Sequence, residues 1–518
     1  MFVDLKNKRA DSSFILFFFL SFLYLIVNFI WWYVNTPIII DGISAVHFED
    51  IFEKSFFYRN APLLTWIMKG MFFLFGKEYF DLQIIFVNYI FFLISLYFIY
   101  IIGAEIKDKE TGNIAMVLFA LTPAIYGLSR QYGHQDYHII SAITANIYCL
   151  IKTNYFKNLK WSVLYGITVG IGLLIKDEFL AYFFIPWLYT VIISLKENID
   201  IKKIINILTP ILIGCFISGF HYFQDWIILK LVNEPFTESV PVFSFDSIKI
   251  VTVSLWEELL SIPIFILFII SLIYFLFKYR NKNKYLFIFW IIIPWLIVTF
   301  MPHHKKVEYF AGFVPAIILI CSIFLTQLNC NIKRYTIGVV FFICIMQYFI
   351  LSYKPNVLDL KIGKFKYYNI ENEDIMYPNK HELLMDFLNY IISNYRDKSV
   401  FVLSFPQAVI KESSLFSALK LNDIKTEIYK PYYARKFENL NTDVIIVIGD
   451  FSVDERVRMF SIAVKKHPEI YTDEFNGKEF DNLSLLMKCI YENYLFENTL
   501  YLNNIDNKEY KVFLYKHI

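Results

Sequence analysis

The chain has 518 residues, of which 57% are hydrophobic and 19% aromatic, and its formal net charge is +2 at pH 7. This apolar share exceeds the ~45–50% of an ordinary soluble domain, which predicts a polytopic membrane protein. A nucleic-acid partner would require a basic face rather than scattered loop lysines, so none is expected. The six cysteines show no Cys-x-x-Cys or Cys/His spacing, which argues against a disulfide framework or a cysteine-bound zinc.

The apolar segments predict helices that cross a bilayer. The first covers about residues 14–33 and is too long for the core of a signal peptide, so we expect it to remain in the protein. Each further span approaches the ~20 residues that a bilayer requires. These spans are centred near residues 92, 121, 145, 168, 187, 214, 268, 293, 318 and 344. The sequence therefore predicts about eleven transmembrane helices.

The loops give an orientation. With the amino terminus inside, every inward loop is short and basic, as the positive-inside rule requires. These loops carry Lys107, Lys109, Lys152, Lys157, Lys160, Lys196, Lys202, Lys203, Lys278, Arg280, Lys282, Lys284, Lys333 and Arg334. An odd number of spans then places the chain after about Tyr353 on the outer side.

Three outward segments are large enough to matter, and the acids and prolines of the one at 227–257 are compatible with a mobile lid. Residues 34–80 are amphipathic in places, which predicts short helices lying in the membrane interface. After residue 353, β-branched runs at 400–403 and 444–448 alternate with amphipathic runs at 381–395 and 453–464, which predicts a small α/β domain. We therefore expect a transmembrane catalytic domain at 1–353, including the outward loop 34–80, and an extracytoplasmic α/β domain at 354–518.

Ionisable residues collect on the predicted outward side of the membrane. Charge at a membrane boundary that is not a simple Lys/Arg anchor usually indicates a functional site. The residues are Asp41, Glu49, Asp50, Arg59, Arg130, Asp136, Lys176, Asp177, Glu178, His303, His304, Lys305 and Lys306. Their common side predicts an enzyme that works at one face of the membrane.

The order of several motifs resembles a known enzyme family. After the first span come IIIDGISAVHFEDIF and APLLTWIMKGMFFLFGKEYFDLQ, followed by ALTPAIYGLSRQYGHQDYHIISA, GITVGIGLLIKDEF and HHKKVEYFAGFVPAI. Over about residues 10–350 the chain resembles the dolichyl-phosphate-mannose protein mannosyltransferase and aminoarabinose transferase group of GT-C glycosyltransferases. It departs from the family at Gly42, where Glu is usual, and at Asn60 and Ala61, where Lys and Pro are frequent.

The resemblance implies a polytopic α-helical GT-C fold and an inverting glycosyltransferase. The donor would be a polyprenyl-phosphate sugar, and the acceptor a protein hydroxyl, a glycolipid or a cell-envelope glycan at the outer face of the membrane. We expect an integral membrane protein of the bacterial inner membrane, with its active site and C-terminal domain outside the cytoplasm. The alternative is a flippase for polyprenyl-linked sugars, or another transporter without transferase activity.

The reaction requires a base for the acceptor hydroxyl. Asp41 is the first candidate because it directly follows the apolar run 38–40 and should lie at the membrane surface, where a lipid-linked sugar sits. The alternative is that Asp41 only caps an interfacial helix. Asp136 precedes another span in the same way, so it is either a second acidic residue of the site or a helix cap.

The reaction also requires cations for the departing phosphate. Lys176 and Lys306 match positions of the family and are the preferred phosphate ligands, with Arg59 and Lys305 as further candidates. The alternative for each is an interfacial anchor whose charge extends towards water. No cofactor is required, although a divalent cation is possible. Its candidate ligands are Glu49, Asp50, His303 and His304.

Overall fold

In the computed structural model, the described residues are mainly helical up to Tyr353. They comprise 12–35, 61–76, 79–130, 135–197, 200–222, 245–300 and 307–353, followed by residue 393 and seven strands between 361 and 517. The chain divides into two compact units, one helical and one that holds a five-stranded sheet. The two units are described separately below.

Fourteen α-helices are formed by the described residues up to Tyr353. In chain order they are α1 (Ser12–Asn35), α2 (Leu63–Phe75), α3 (Phe80–Ile106), α4 (Lys109–Ala120), α5 (Pro123–Leu128), α6 (Gln135–Thr153), α7 (Leu159–Ile175), α8 (Phe179–Glu197), α9 (Ile201–Tyr222), α10 (Phe245–Ser254), α11 (Ile262–Phe277), α12 (Lys284–Phe300), α13 (Val314–Gln327) and α14 (Cys330–Tyr353). A π-helical turn, Leu255–Leu260, joins α10 to α11, and a 3₁₀ segment, Val307–Phe313, precedes α13.

Six of the described helices are long and apolar enough to cross a membrane, and a seventh span results if the bent pair around the π-helical turn counts as one. The count of eleven therefore stays a prediction. The predicted span near residue 121 is divided into α4 and α5, with Pro123 at the start of α5. Proline supplies no N–H for a continuing helix and favours the first turn of a new one, which explains the break.

Helices α7 and α9 pack closely through small residues. A Cβ atom added to Gly166 would lie 2.8 Å from the Cα atom of Pro210, and one added to Gly170 would lie 2.6 Å from Ile217 Cβ. Small residues at a four-residue spacing allow helices in a membrane to approach each other and gain van der Waals contact. This packing fixes the C-terminal end of α7, where Lys176 follows.

The basic loops come together at one end of the helical unit. Lys282 donates a hydrogen bond to Asn154 Oδ1 at 3.1 Å, and Lys333 lies 2.9 Å from Glu110 Oε1. Loops that are far apart in the sequence therefore lie at a common end, as the charge pattern predicts. That this end faces the cytoplasm stays a prediction.

The second unit contains a five-stranded sheet with the order β4-β3-β5-β7-β6. Strands β3 and β5 are parallel, with Val400 opposite Val444, whereas β7 is antiparallel to both β5 and β6. The strands are β3 (Val400–Ser404), β4 (Thr426–Ile428), β5 (Val444–Gly449), β6 (Tyr494–Asn503) and β7 (Glu509–His517), while β1 (Lys361–Ile362) and β2 (Phe365–Lys366) form a separate antiparallel pair in the other unit. The strands predicted at 400–403 and 444–448 are confirmed. Apart from residue 393, which is helical, the helices predicted at 381–395 and 453–464 lie outside the described residues.

Candidate active site

Two predicted site residues, Asp136 and Lys176, form an ion pair. Asp136 lies in the first turn of α6, and Lys176 follows the last residue of α7 with an extended backbone. Lys176 Nζ donates a hydrogen bond to Asp136 Oδ1 at 2.6 Å, and the two side chains are only 12% and 10% exposed. The sequence analysis treats these residues separately, whereas the fold joins them across 40 positions.

Lys176 has two further partners. Glu178 Oε1 lies 3.4 Å from the ammonium nitrogen, and its side chain is 46% exposed. The ammonium nitrogen also lies 4.6 Å from the ring centroid of Tyr309, within cation–π range. We refer to Asp136, Lys176, Glu178 and Tyr309 as the Lys176 cluster.

The Lys176 cluster keeps its lysine charged. Burial alone lowers the pKa of the Lys176 ammonium, but the carboxylates of Asp136 and Glu178 outweigh burial and raise this pKa above the usual lysine value. The contribution of this raised pKa to stability is therefore present below the usual lysine pKa and is lost only when the pH rises through the raised value. Lys176 is accordingly a cation throughout the neutral pH range.

The 3₁₀ segment that carries Tyr309 is held by two neighbouring helices. Tyr182 of α8 donates a hydrogen bond to the Tyr309 carbonyl, and Trp290 Nε1 of α12 donates one to the Gly312 carbonyl at 3.0 Å. A Cβ atom at Gly312 would lie 2.5 Å from Tyr182 Cζ, so only glycine allows this close approach. Tyr309 matches the family pattern in sequence but fits a packing role equally well, and the structure places its ring against the Lys176 ammonium.

The turn between α7 and α8 directs its acids to different partners. Asp177 accepts a hydrogen bond from the Tyr222 hydroxyl of α9 at 2.7 Å, whereas Glu178 lies beside Lys176. The turn thus contributes one cation and two carboxylates, and Asp136 adds a third. The formal charge of these four side chains is +1 − 3 = −2 when all of them are ionised.

Arg130 is a second buried cation near this end of the helical unit, and it is only 2% exposed. Its Nε donates to Asn28 Oδ1 at 2.7 Å, and its Nη2 donates to Ser352 Oγ, also at 2.7 Å. Three aromatic rings surround the guanidinium, with centroids 5.0–5.8 Å from Cζ, and they belong to Trp31, Tyr126 and Tyr348. We refer to these six residues as the Arg130 cage.

The Arg130 cage joins the C-terminal ends of helices α1, α5 and α14. No carboxylate pairs with Arg130 among the residues that the structure describes. The negative ends of three helix dipoles and the faces of aromatic rings stabilise a buried cation without a carboxylate. The hydrogen bonds and ring contacts of Arg130 therefore make the cage a clamp that holds three helix ends together. The sequence placed Arg130 on the outward side but gave no indication of these partners.

A buried polar network lies between the Lys176 cluster and the Arg130 cage. Asn88 Nδ2 of α3 donates to the Ser129 carbonyl at 2.8 Å, and Asn88 Oδ1 lies 2.8 Å from His138 Nε2. Asn88 therefore contacts both the Ser129 carbonyl and the His138 ring. Ser129 precedes Arg130 and His138 follows Asp136 by two positions, so Asn88 links the backbone beside Arg130 to the first turn of α6.

The remaining predicted site residues lie outside the described part of the chain. They are Asp41, Glu49, Asp50, Arg59, His303, His304, Lys305 and Lys306. The described end of the outward loop does reach α6, because Gln135 Nε2 donates to the Ala61 carbonyl at 3.2 Å. Within the described ranges, no group of three His, Cys, Asp or Glu side chains is arranged to hold a metal ion.

Comparison with protein families gives a match over residues 59–223 to the model for dolichyl-phosphate-mannose-protein mannosyltransferase. The matched segment contains Arg130, Asp136 and Lys176. No sequence among curated proteins gives a significant match.

Comparison with solved structures identifies the fold. ArnT from Cupriavidus metallidurans bound to undecaprenyl phosphate matches with a TM-score of 0.58 and 8% identity, over 98% of both chains. The apo oligosaccharyltransferase of Archaeoglobus fulgidus matches with a TM-score of 0.54 and 10% identity, over 87% of this chain and 71% of that one. These identities show a shared fold. Together with the family match, they confirm the predicted resemblance to GT-C glycosyltransferases of the protein mannosyltransferase and aminoarabinose transferase type.

Proposed function

We propose that this GT-C-type protein transfers one sugar from a polyprenyl phosphate to an acceptor hydroxyl at the outer face of a cell membrane. The observation that carries the proposal is the buried Lys176–Asp136 pair, which lies within the family-matched segment at the helix ends opposite the basic loops. The fold supports the donor class, because a structure of the same fold holds undecaprenyl phosphate.

The reaction divides its tasks between a base and cations. The acceptor oxygen attacks the anomeric carbon from the face opposite the phosphate, and its proton moves to the carboxylate of Asp41. The bond from the anomeric carbon to the phosphate oxygen breaks, and its electron pair stays on the polyprenyl phosphate. Because negative charge develops on the leaving oxygen, nearby cations stabilise the transition state more than the ground state.

The proposed cations are Lys176 and Lys306, with Arg59 and Lys305 as additional phosphate ligands. Of these four residues, Lys176 lies in the part of the chain that the structure describes. Its raised pKa keeps it charged, and its low exposure to water strengthens its interaction with an anion. Asp136 is the second acidic residue of the site. A divalent cation held by Glu49, Asp50, His303 or His304 stays a possibility, and no step of the proposed reaction requires it.

Incubation of the purified protein in detergent with a panel of polyprenyl-phosphate sugars tests the function. We expect one donor to be consumed and free polyprenyl phosphate to be released. A protein that consumes no donor in detergent, but moves a lipid-linked sugar across sealed vesicles, would instead be a transporter. The donor that is consumed identifies the sugar, and native membranes added as the source of acceptor then identify the acceptor class.

Substitution of Asp41 by Asn tests the proposed base. An amide of the same shape cannot take a proton, so turnover should fall by roughly 10²-fold to 10⁴-fold while donor binding persists. Asp136→Asn is the matched variant and should lose less turnover. A severe loss in Asp136→Asn together with an active Asp41→Asn enzyme would assign the base to Asp136.

A further inference from the structure

The Lys176 cluster presents its lysine already bound to a carboxylate. The ammonium lies 2.6 Å from Asp136 Oδ1 and 3.4 Å from Glu178 Oε1. An ammonium group has three hydrogens to donate and one positive charge, which Asp136 offsets in this state. A phosphate that approaches Lys176 therefore competes with a carboxylate that is already bound.

The carboxylates around Lys176 strengthen this competition between the phosphate and Asp136. Glu178 places a second carboxylate 3.4 Å from the ammonium, so an additional anion at Lys176 meets two carboxylates that share one positive charge. Like charges at short range in a partly buried site destabilise each other. Movement of one carboxylate away from Lys176 would therefore favour phosphate binding there.

Asp136 is the carboxylate that a phosphate would displace most directly. It makes the short contact with the ammonium, whereas Glu178 is farther away and half-exposed to solvent, which screens its charge. Tyr309 provides the remaining contact through its ring face, which attracts the ammonium without neutralising its charge. Lys176 therefore retains a partner that holds it in place when Asp136 leaves.

We propose that the donor phosphate takes the place of Asp136 on Lys176, and that the released Asp136 carboxylate then accepts a hydrogen bond from the acceptor substrate. This inference rests on the proposed function. It makes binding ordered, with the donor first, because the acceptor contact becomes available only after the exchange.

Direct binding of undecaprenyl phosphate to the full-length protein in detergent tests the exchange without requiring turnover. Asp136→Asn removes the competing charge and preserves the side-chain shape, so undecaprenyl phosphate should bind about 10-fold more tightly, a typical size for such a coupling. Lys176→Ala should weaken binding. The double variant should bind no more tightly than Lys176→Ala alone, because the gain requires the lysine.

Two matched controls separate this effect from a general change in stability. Undecaprenol, which has no phosphate, should bind wild-type protein and Asp136→Asn equally. Glu105→Gln removes the carboxylate that pairs with Lys152 at the opposite end of α6, and it should leave the affinity for undecaprenyl phosphate unchanged. If Asp136→Asn does not fold, Asp136→Ser takes its place, because it also removes the competing carboxylate, and the expected gain is again about 10-fold.

The outcomes distinguish this inference from the proposed function. If wild-type protein binds undecaprenyl phosphate and Asp136→Asn binds it equally or more weakly, the ion pair is a permanent structural contact and the exchange is wrong. The same holds for Asp136→Ser where it replaces Asp136→Asn. If wild-type protein does not bind undecaprenyl phosphate, the proposed donor class fails together with the exchange. If the exchange is observed but no sugar is transferred, the proposed transferase function alone fails.

Discussion

The two ends of α6 carry lysine–carboxylate pairs of different character. In its last turn, Lys152 lies 3.1 Å from Glu105, and their side chains are 29% and 42% exposed. In its first turn, Asp136 lies 2.6 Å from Lys176, with exposures of 12% and 10%. The 16 residues from Asp136 to Lys152 correspond to about 24 Å along the helix axis at a rise of 1.5 Å per residue. One helix thus separates a solvated pair from a largely buried pair.

The difference supports the proposal that the buried pair has a role in the reaction. Exposed ion pairs contribute about 0–1 kcal/mol to the free energy of unfolding. Burying an ion pair costs desolvation free energy, and the attraction between the two charges often does no more than offset that cost. A buried pair is therefore weak evidence for a stabilising role. Charges at the membrane boundary that are not simple anchors are usually functional. We therefore expect the functional site at the Asp136 end of α6.

The largest effect is expected from reporter fusions that test which end of α6 faces the cytoplasm. Alkaline phosphatase is active only outside the cytoplasm, so a fusion after about residue 360 should be active and a fusion in the loop 278–284 should not. Reporter activity in intact cells measures this, with expression levels compared by immunoblot. The opposite result would place the Lys176 cluster at the cytoplasmic face and overturn the proposed site.

Loss of the Arg130 guanidinium should cause the largest loss of stability. Arg130→Gln removes two hydrogen bonds from a charged donor and three cation–π contacts, so the free energy of unfolding should fall by about 3 kcal/mol or more. Arg130→Lys should recover only part of this, because an ammonium lacks the planar fork of guanidinium. Thermal unfolding in detergent measures both variants. The control is Lys282→Ala at the basic end, whose contact with Asn154 is exposed; an equal loss there would refute the clamp.

Substitution of the proposed phosphate ligands should have an intermediate effect. Lys176→Ala and Lys306→Ala should each lower donor affinity and turnover by roughly 10-fold to 150-fold, the scale of one lost charged hydrogen bond. Steady-state kinetics with the identified donor provide the measurement. Lys152→Ala is the matched control at the opposite end of α6 and should retain wild-type kinetics. Wild-type kinetics in both test variants, at normal expression, would make these lysines interfacial anchors.

The smallest effect is expected at the exposed pair between Lys333 and Glu110, whose carboxylate side chain is 50% exposed. Lys333→Ala should reduce the free energy of unfolding by about 0.2–1 kcal/mol, and the difference should shrink as salt screens the pair. Thermal unfolding at low and high ionic strength measures it. A loss as large as that of Arg130→Gln would contradict the contrast between the two ends.

Much of the fold could be predicted because its causes are local. Apolar runs predicted the long helices such as α3 and α14, and β-branched runs predicted strands β3 and β5. The segment near residue 121 was read as one span because its hydropathy continues through the break. Pro123 was the available signal, since it favours the start of a new helix.

The sequence by itself determined which residue types could form a site and the side of the membrane on which they were expected, because hydropathy and loop charge depend on neighbouring residues. Only the tertiary structure decided their partners. Lys176 pairs with Asp136 because α6 and α7 bring their ends together, and Arg130 meets Asn28 and Ser352 because α1 and α14 end at the same place. These contacts join residues 40, 102 and 222 positions apart. No local pattern encodes such distances, since the packing of the helices selects which ends meet.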